Sequence, residues 1–280
     1  MTIRIVTDST CDLPEEIAAQ YGIRTVPLYI NSGGESFLDG IDLSREAFYA
    51  RLPECDPPPT TAIPGPQMFL NAYEKLADEG ATEILSIHIA KSLSAVVDTA
   101  HLAAREASTP VTVFDSGSLS LGLGFLVQAA AEAAAQGCSM KEIVALLEAQ
   151  RQRTHVFAAL DTLEFLRRSG RMNRVMATLG SWLQMKPLLK MHDGKPTAEK
   201  IRTTEAAVQR LITLLEEQLP LERVALVHTH SLEKAQGLRH KARHLLPGGE
   251  IMSVDITPVF GAHLGPGAVG FVSVSAREQS

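Results

Sequence analysis

The length, composition and charge of this chain exclude several classes of protein. Its 280 residues suit one large or two medium-sized domains, and 45% hydrophobic with 21% charged residues excludes a disordered or coiled-coil protein. A formal net charge of −6 offers no general attraction to phosphate backbones or anionic bilayers, so we expect no nucleic-acid partner.

The cysteines and the apolar segments favour an intracellular protein. Cys11, Cys55 and Cys138 are odd in number and lack metal-ligand spacing, which favours neither a disulfide framework nor a zinc site. No basic and apolar leader precedes the first strand-like run, and polar residues interrupt the longest apolar stretch, at 119–135. We therefore expect a cytoplasmic protein without a transmembrane segment.

The first half of the chain alternates extended, β-branched runs with segments of helical periodicity. The extended runs lie at 3–7, 25–30, 83–89 and 111–114, and the helical segments at 66–79, 94–107 and 123–136. This alternation is typical of a layered α/β domain with a largely parallel sheet. We place that domain at residues 1–155.

The pattern changes after a further helical segment at 140–153. Two extended runs, 186–192 and 195–203, flank Asp193-Gly194, the dipeptide preferred in type I′ hairpin turns. The remaining helical segments lie at 204–218 and 232–246, and the remaining extended runs at 223–228, 250–256 and 270–274. A second α/β domain with a mixed sheet is therefore predicted for residues 156–280, packed closely on the first.

Two hydroxyl side chains stand just before predicted helices. The proline-rich segment 56–66 is rigid, because each proline fixes its own φ and restricts its predecessor, and it presents Thr61 ahead of a helix. Ser94 follows an extended run, at the strand end where α/β proteins bind ligands. Capping of the helix is the alternative interpretation for each hydroxyl.

One histidine lies in a glycine-rich segment between two extended runs. Residues 261–270 contain His263 among glycines, which we interpret as a loop whose backbone can approach a ligand closely. A single imidazole can hydrogen-bond or charge-pair with a carboxylate. His228 and His230 share a strand end without accompanying cysteine or carboxylate motifs, so no metal site is predicted.

A serine- and glycine-rich run at 116–124 matches neither of two enzyme motifs. Neither Ser118 nor Ser120 has glycines both two residues before and two residues after it, as a nucleophile elbow requires. A dinucleotide-binding fingerprint would need a third glycine at position 127, which is valine. We expect Gly122 and Gly124 to permit close backbone packing under a pocket instead.

Taken in order, these motifs resemble the DegV family of bacterial fatty-acid-binding proteins over essentially the whole chain. The Thr61, Ser94 and His263 loops carry part of the resemblance. The other matching segments are Val6–Ser9, Phe114–Ser116 with the following Gly-Leu-Gly, Ser169–Arg171, Lys186–Pro187 and Asp193–Lys195.

The resemblance implies a non-enzymatic lipid-binding protein without metal or cofactor. A long-chain fatty acid would lie in a buried tunnel between two α/β domains, with Thr61, Ser94 and His263 holding its carboxylate. Some family members present the lipid to a separate fatty acid kinase, which forms an acyl phosphate. Arg171 and Arg202 then become candidates for contacting the phosphorylated head or the kinase, and a transient contact with a membrane surface remains open.

Two motifs depart from the family pattern, and two other functions remain open. The family's Thr-Ser-Gln-Pro-Ser-Pro loop is Thr-Ala-Ile-Pro-Gly-Pro at 61–66, and its Ser-Ser-x-Leu-Ser-Gly loop is Ala-Lys-Ser-Leu-Ser-Ala at 90–95. The head-group pocket is therefore expected to be less polar than usual. The alternatives are a serine-dependent hydrolase or acyltransferase, using Ser94 or Ser118 with His263, and a small-anion binding protein.

Overall fold

The computed structural model describes residues 2–170 and 185–276 and shows an α/β protein, as predicted. The strands are β1 (Ile3–Asp8), β2 (Arg24–Val26), β3 (Tyr29–Ser32), β4 (Glu35–Leu38), β5 (Thr60–Ala62), β6 (Glu83–His88), β7 (Val111–Asp115), β8 (Thr154–Ala159), β9 (Lys186–His192), β10 (Lys195–Ile201), β11 (Leu221–His228), β12 (Met252–Asp255) and β13 (Val269–Ser275). The helices are α1 (Glu15–Tyr21), α2 (Arg45–Arg51), α3 (Pro66–Asp78), α4 (Val96–Ala104), α5 (Leu121–Ala135), α6 (Met140–Arg151), α7 (Glu164–Arg168), α8 (Thr204–Glu216), α9 (Leu232–Lys241) and α10 (Pro258–Leu264).

The first sheet is the parallel one that the alternating pattern predicts. Its order is β2-β1-β6-β7, and every neighbouring pair runs parallel. The central strands β1 and β6 are buried towards their carboxyl ends, where the chain leaves the sheet for the loops that precede α1 and α4. Those loops therefore begin from the buried ends of the two central strands, the edge of the sheet where ligands usually bind.

The predicted extended run at 25–30 is not one strand but two. β2 ends at Val26 and joins the parallel sheet, whereas β3 begins at Tyr29 and pairs antiparallel with β4 and β5. Pro27 lies between them, and a proline has no N–H to donate to a sheet ladder. The resulting small sheet, in the order β4-β3-β5, places the strand that carries Thr61 at one of its edges.

The second large sheet is mixed and has the order β10-β9-β8-β13-β11-β12. All its neighbouring pairs are antiparallel except β11 and β12, which run parallel. The predicted hairpin is confirmed: Asp193 has φ 42° and Gly194 has φ 74°, the two positive values that a type I′ turn requires.

Helix α5 packs between the two large sheets and is buried over most of its length. A Cβ atom on Gly122 would lie 2.8 Å from Val156 Cγ2 of β8, and one on Gly124 would lie 2.6 Å from the carbonyl oxygen of Cys11. The prediction that these glycines permit close packing is confirmed. Within the described ranges no helix, α5 included, combines the length and apolar character that a membrane crossing demands.

The change from the parallel to the mixed sheet occurs close to the predicted domain boundary. The first strand of the mixed sheet, β8, begins at Thr154, one residue before the boundary at 155. The largest hydrophobic cluster nevertheless crosses this point, because it includes Val156, Val227 and Phe260 together with side chains of the parallel sheet. The division into domains 1–155 and 156–280 stays a prediction.

Candidate functional site

A cavity of about 510 Å³ lies between the loops of the parallel sheet, the small sheet and the mixed sheet. This volume is within the range of about 300–1,000 Å³ that is usual for small-molecule sites. Its polar lining residues are Thr10, Thr61, Ser94, Lys190 and His263. The others are Leu28, Ala62, Ile63, Ile89, Leu93, Ala95, Leu119, Val156, Ala158, Leu166, Leu189, Met191, Pro196, Val259, Phe260 and Leu264.

Thr61 and His263 meet at the wall of this cavity. The Thr61 Oγ1 atom lies 2.9 Å from His263 Nε2, although the two residues are 202 positions apart in the chain. Thr61 is held in β5, opposite Ile30 of β3. The capping interpretation is wrong for Thr61, because Gly65 occupies the N-cap position of α3 and no side chain caps that helix.

His263 lies on helix α10, so the expected glycine-rich loop is wrong at this point. The Thr257 hydroxyl accepts from the N–H of Val259, and Pro258 at the first position favours a helix start. A Cβ atom on Gly261 would lie 2.7 Å from the Tyr49 hydroxyl oxygen. This glycine therefore serves the packing of α10 against α2 and not a close approach to a ligand.

Two buried carboxyl groups of the N-terminal half hold the start of α10. The N–H of Thr257 donates to Asp12 Oδ1 at 2.7 Å, and the Thr257 hydroxyl donates to Asp39. Burial raises the pKa of Asp12 to about 7. The Arg45 guanidinium, whose Nη2 lies 3.3 Å from Asp12 Oδ1, opposes this effect and lowers the pKa. Burial raises the pKa of Asp39 as well. These acids fix the helix that presents His263, and no local motif in the sequence marks them.

Ser94 also lines the cavity and is half-buried. The loop turns at Ala90, whose carbonyl accepts from the N–H of Leu93 at 2.9 Å and of Ser94 at 3.2 Å. The capping interpretation is wrong for Ser94 too, because Ala95 is the N-cap residue of α4 and no side-chain cap bond forms there. The uncapped start of α4 therefore adds positive potential beside the Ser94 hydroxyl.

A buried hydrogen-bond network ties the ends of β1 and β6 together beneath these loops. Asp8 Oδ2 accepts from the N–H of Ile89 at 3.1 Å and lies 3.0 Å from His88 Nδ1, while His88 Nε2 lies 2.7 Å from Ser86 Oγ. The Thr10 hydroxyl, which lines the cavity, donates to Asp8 Oδ1. In the sequence this network is indicated only by the polar residue that ends each strand, Asp8 in β1 and His88 in β6.

Exposed residues flank the polar side of the cavity. Ala62 and Ile63 follow Thr61, Ala95 follows Ser94, and all three are exposed lining residues, with Ile63 at 38%. Half of the buried lining residues belong to the mixed sheet and to α10, namely Val156, Met191, Val259 and Phe260. We infer that the polar end of the cavity opens to solvent and that its apolar part extends into the protein.

The remaining predicted residues lie elsewhere. Arg171 is outside the described residues. Arg202 is exposed in the segment between β10 and α8 and is not among the residues that line the cavity. Ser118 is buried beneath α5 and does not line the cavity, so the geometry disfavours it as a nucleophile acting with His263.

The fold and the cavity together define a class of α/β protein that encloses an apolar space with hydrogen-bonding groups at one end. A profile of the family described as "Uncharacterised protein, DegV family" matches residues 2–276, and the chain belongs to this family. A DegV domain-containing protein of Streptomyces coelicolor is 36% identical over 280 residues, which is 98% of this chain and 99% of the relative.

Solved structures of two relatives share the whole fold. A DegV family protein from Thermus thermophilus, whose structure is described as showing fatty acid binding, has 33% identity and a TM-score of 0.90, over 99% of this chain and 100% of that one. DegV from Bacillus subtilis, described as a fatty acid binding protein, has 29% identity and a TM-score of 0.89, over 99% and 100% of the two chains.

Proposed function

We propose that this protein binds a long-chain fatty acid in the large cavity, with the carboxylate held by Thr61, Ser94 and His263. The observation that carries the proposal is the Thr61–His263 hydrogen bond at the wall of a mostly apolar space. The solved relatives described as fatty acid binding proteins support it. The protein would act as a carrier and not as an enzyme.

The apolar lining supplies the affinity in this proposal. A long acyl chain has about fourteen methylene groups, and transfer of each from water is worth about 0.8 kcal/mol, or on the order of 11 kcal/mol in total before losses. Side chains from β8, β9 and α10 provide the surface that would replace water around the chain. The tail therefore determines how tightly the ligand binds.

The three polar side chains select the head group. A carboxylate leaving water is costly unless donors replace its hydration, and charge-assisted hydrogen bonds are stronger than neutral ones. The Thr61 and Ser94 hydroxyls can donate, and the His263 ring can donate from a protonated nitrogen. The open N-terminus of α4 adds to the favourable potential. An alcohol or alkane of the same length would gain less from these donors.

The test is native mass spectrometry of the recombinant protein, followed by extraction of its lipids. We expect a co-purified mass equal to that of a fatty acid, removable by delipidation and restored by adding palmitate. Thr61→Val should bind less fatty acid than the wild type. Thr60→Val is the control for effects on β5 and should bind as the wild type does, because Thr60 is exposed on the same strand. A protein that binds no fatty acid after delipidation and reloading would contradict the proposal.

We also propose that the loaded protein presents the carboxylate to a separate fatty acid kinase. The solvent-facing polar end of the cavity supports this step, and the exposed Arg202 is the candidate for contacting the kinase. With ATP and a purified fatty acid kinase, loaded Arg202→Ala should form acyl phosphate more slowly than the wild type at equal fatty acid content. Equal rates would remove Arg202 from the proposal. Arg171, the membrane contact and the cytoplasmic location stay predictions.

A further inference from the structure

A second pocket, of about 180 Å³, lies on the other face of the mixed sheet. Side chains alternate along β8, so Val156 and Ala158 line the large cavity whereas Ala159 lines the second pocket. Helices α8 and α9 form the opposite wall. The two spaces are therefore separated by the sheet itself, and the second pocket is distinct from the proposed fatty acid site.

The second pocket combines an apolar interior with a cationic rim. Its apolar walls are formed by Ala159, Leu160, Ala207, Val208, Leu238 and Val269. Lys186, Lys234 and Lys241 also line it. Lys234 Nζ lies 2.5 Å from Asp161 Oδ2 and Lys186 Nζ lies 3.8 Å from Asp161 Oδ1. One carboxylate thus faces two ammonium groups on this side of the rim.

Lys241 provides a second cationic position. Its Nζ is 3.9 Å from Glu205 Oε1, a long contact between exposed side chains that are strongly screened by water. Three lysines and two acids leave a surplus of positive charge around the opening. An anion brought to this rim gains from the surplus, and more so where an apolar group anchors it.

A glycine in the middle of α9 keeps the pocket open. Gly237 lies between Lys234 and Lys241 and lines the pocket, and its backbone is not in the left-handed region. Among the described residues no atom lies within 4 Å of a Cβ built on it. Packing therefore does not require a glycine at this position, and glycine is less favourable inside a helix than any residue except proline. Its effect is to leave space between the two lysines.

We propose that this pocket binds a small organic anion, with an apolar body between α8 and α9 and a phosphate or carboxylate against Lys234 and Lys241. The volume suits a group of about one aromatic ring, since an engineered cavity of about 150 Å³ accommodates benzene. The apolar wall explains why an inorganic ion alone would bind weakly. Because the lysines would stabilise only a negative charge, a neutral molecule of the same shape would also bind weakly.

The first experiment measures binding of phenyl phosphate to the delipidated full-length protein by ligand-observed NMR and calorimetry. Phenol and inorganic phosphate serve as separate probes of the two halves of the ligand. We expect each to bind at least about tenfold more weakly than phenyl phosphate. Benzoate distinguishes a carboxylate preference from a phosphate preference. Affinity for phenyl phosphate no better than for phenol would overturn the anion site.

The second experiment locates the bound probe by substitution. Gly237→Ala should raise the midpoint of thermal unfolding, because alanine favours the helix, and yet weaken phenyl phosphate binding severalfold. Gly237→Leu should abolish binding, and Lys241→Gln should weaken it at least about threefold with a smaller salt dependence. All three variants should keep the wild-type fatty acid content.

Two results would contradict the assignment to the second pocket. Wild-type affinity for phenyl phosphate in both Gly237→Ala and Gly237→Leu would show that the probe binds elsewhere. Loss of phenyl phosphate binding on saturation with palmitate would place the probe in the large cavity. Wild-type protein that binds phenyl phosphate but takes up no palmitate would instead count against the proposed function, so the two failures are distinguishable.

Discussion

At the scale of single residues, the hydroxyl of Thr61 has only one proton to give. In the structure it shares a hydrogen bond with His263 Nε2 across 2.9 Å. A carboxylate arriving at this point can accept from the group of the pair that donates, and a hydroxyl can rotate to donate to the new acceptor. In the proposed function, the pair would therefore exchange an internal hydrogen bond for a stronger, charge-assisted one when the ligand enters.

Substitution at this pair should weaken fatty acid binding without unfolding the protein. We expect Thr61→Val and His263→Ala each to raise the palmitate Kd about tenfold or more, because hydrogen bonds to charged groups contribute about 1.5–3 kcal/mol. Displacement of a fluorescent fatty acid from delipidated protein measures this. Thr60→Val should bind as the wild type does. Wild-type affinity in both pair variants would exclude the head-group assignment.

The serine-dependent alternative can be tested at Ser94 directly. Ser94 lines the cavity, so a nucleophilic role for this hydroxyl makes a clear chemical prediction. Because we propose a carrier, we expect a fluorophosphonate probe to label the wild type no more than Ser94→Ala, with a known serine hydrolase as the positive control. Labelling that depends on Ser94 would favour the hydrolase instead.

At the scale of elements, helix α10 shows how tertiary contacts determine local structure. Its seven residues include Gly261, and the segment that follows is rich in glycine, which is why the sequence suggested a loop. Propensity alone does not favour so short a helix. The buried acids Asp12 and Asp39 satisfy Thr257 at its start, and α2 packs against its glycine. None of these partners is near in sequence.

The anchor of α10 should make the stability of the protein depend on pH. The pKa of Asp12 rises from 3.8 to about 7 on folding, mainly through burial. The folded state therefore holds this proton more tightly, and the resulting stabilisation is complete below about pH 4 and is lost as the pH rises through 7. The effect amounts to at most about 4 kcal/mol at 1.36 kcal/mol per pKa unit. Asp39 acts in the same direction.

Urea unfolding at about pH 5 and about pH 8 measures this dependence. We expect the free energy of unfolding to be higher at the lower pH, and the difference to shrink in Asp12→Asn, whose amide oxygen can still accept from Thr257. Asp98→Asn, at an exposed ion pair with Lys91, is the control and should keep the wild-type difference. An unchanged pH difference in Asp12→Asn would contradict this account.

How well the elements could be predicted depended on whether their signals are local. The β9–β10 hairpin follows from its Asp-Gly turn, and the helices α3 and α8 follow from their periodicity. β8 escaped prediction because it is a short, largely buried strand without alternation or a turn signal. Likewise the motifs pointed to Thr61, Ser94 and His263, which line the cavity, but no motif marked Thr10 or Asp12, whose contacts depend on distant partners.

At the scale of the whole molecule, one core supports both sheets. Contacts between the halves include the N–H of Gly194, which donates to the carbonyl of Gly117 at 2.8 Å, and the ion pair of Arg223 with Glu132 at 2.8 Å. Helix α5 packs on strands of both sheets. The large cavity is therefore bounded by a continuous structure.

Two glycine substitutions in helices should have opposite effects on stability. A Cβ on Gly122 would lie 2.8 Å from Val156 Cγ2, so Gly122→Ala should lower the free energy of unfolding by about 1–3 kcal/mol through overpacking. Gly237→Ala has open space among the described atoms and should raise it by up to about 1 kcal/mol. Urea denaturation compares them, and equal effects of the same sign would contradict the packing argument for α5.

The pairing of Thr61 with His263 also has a consequence for the order of events during synthesis. The proposed head-group contacts join positions separated by 202 residues, so an N-terminal fragment carries Thr61 and Ser94 but lacks His263 and α10. A growing chain gains the complete site only after residue 263 leaves the ribosome and both sheets have come together. In the proposed function, lipid capture is therefore a late event, and a ribosome stalled before that residue would display a chain without the complete proposed head-group site.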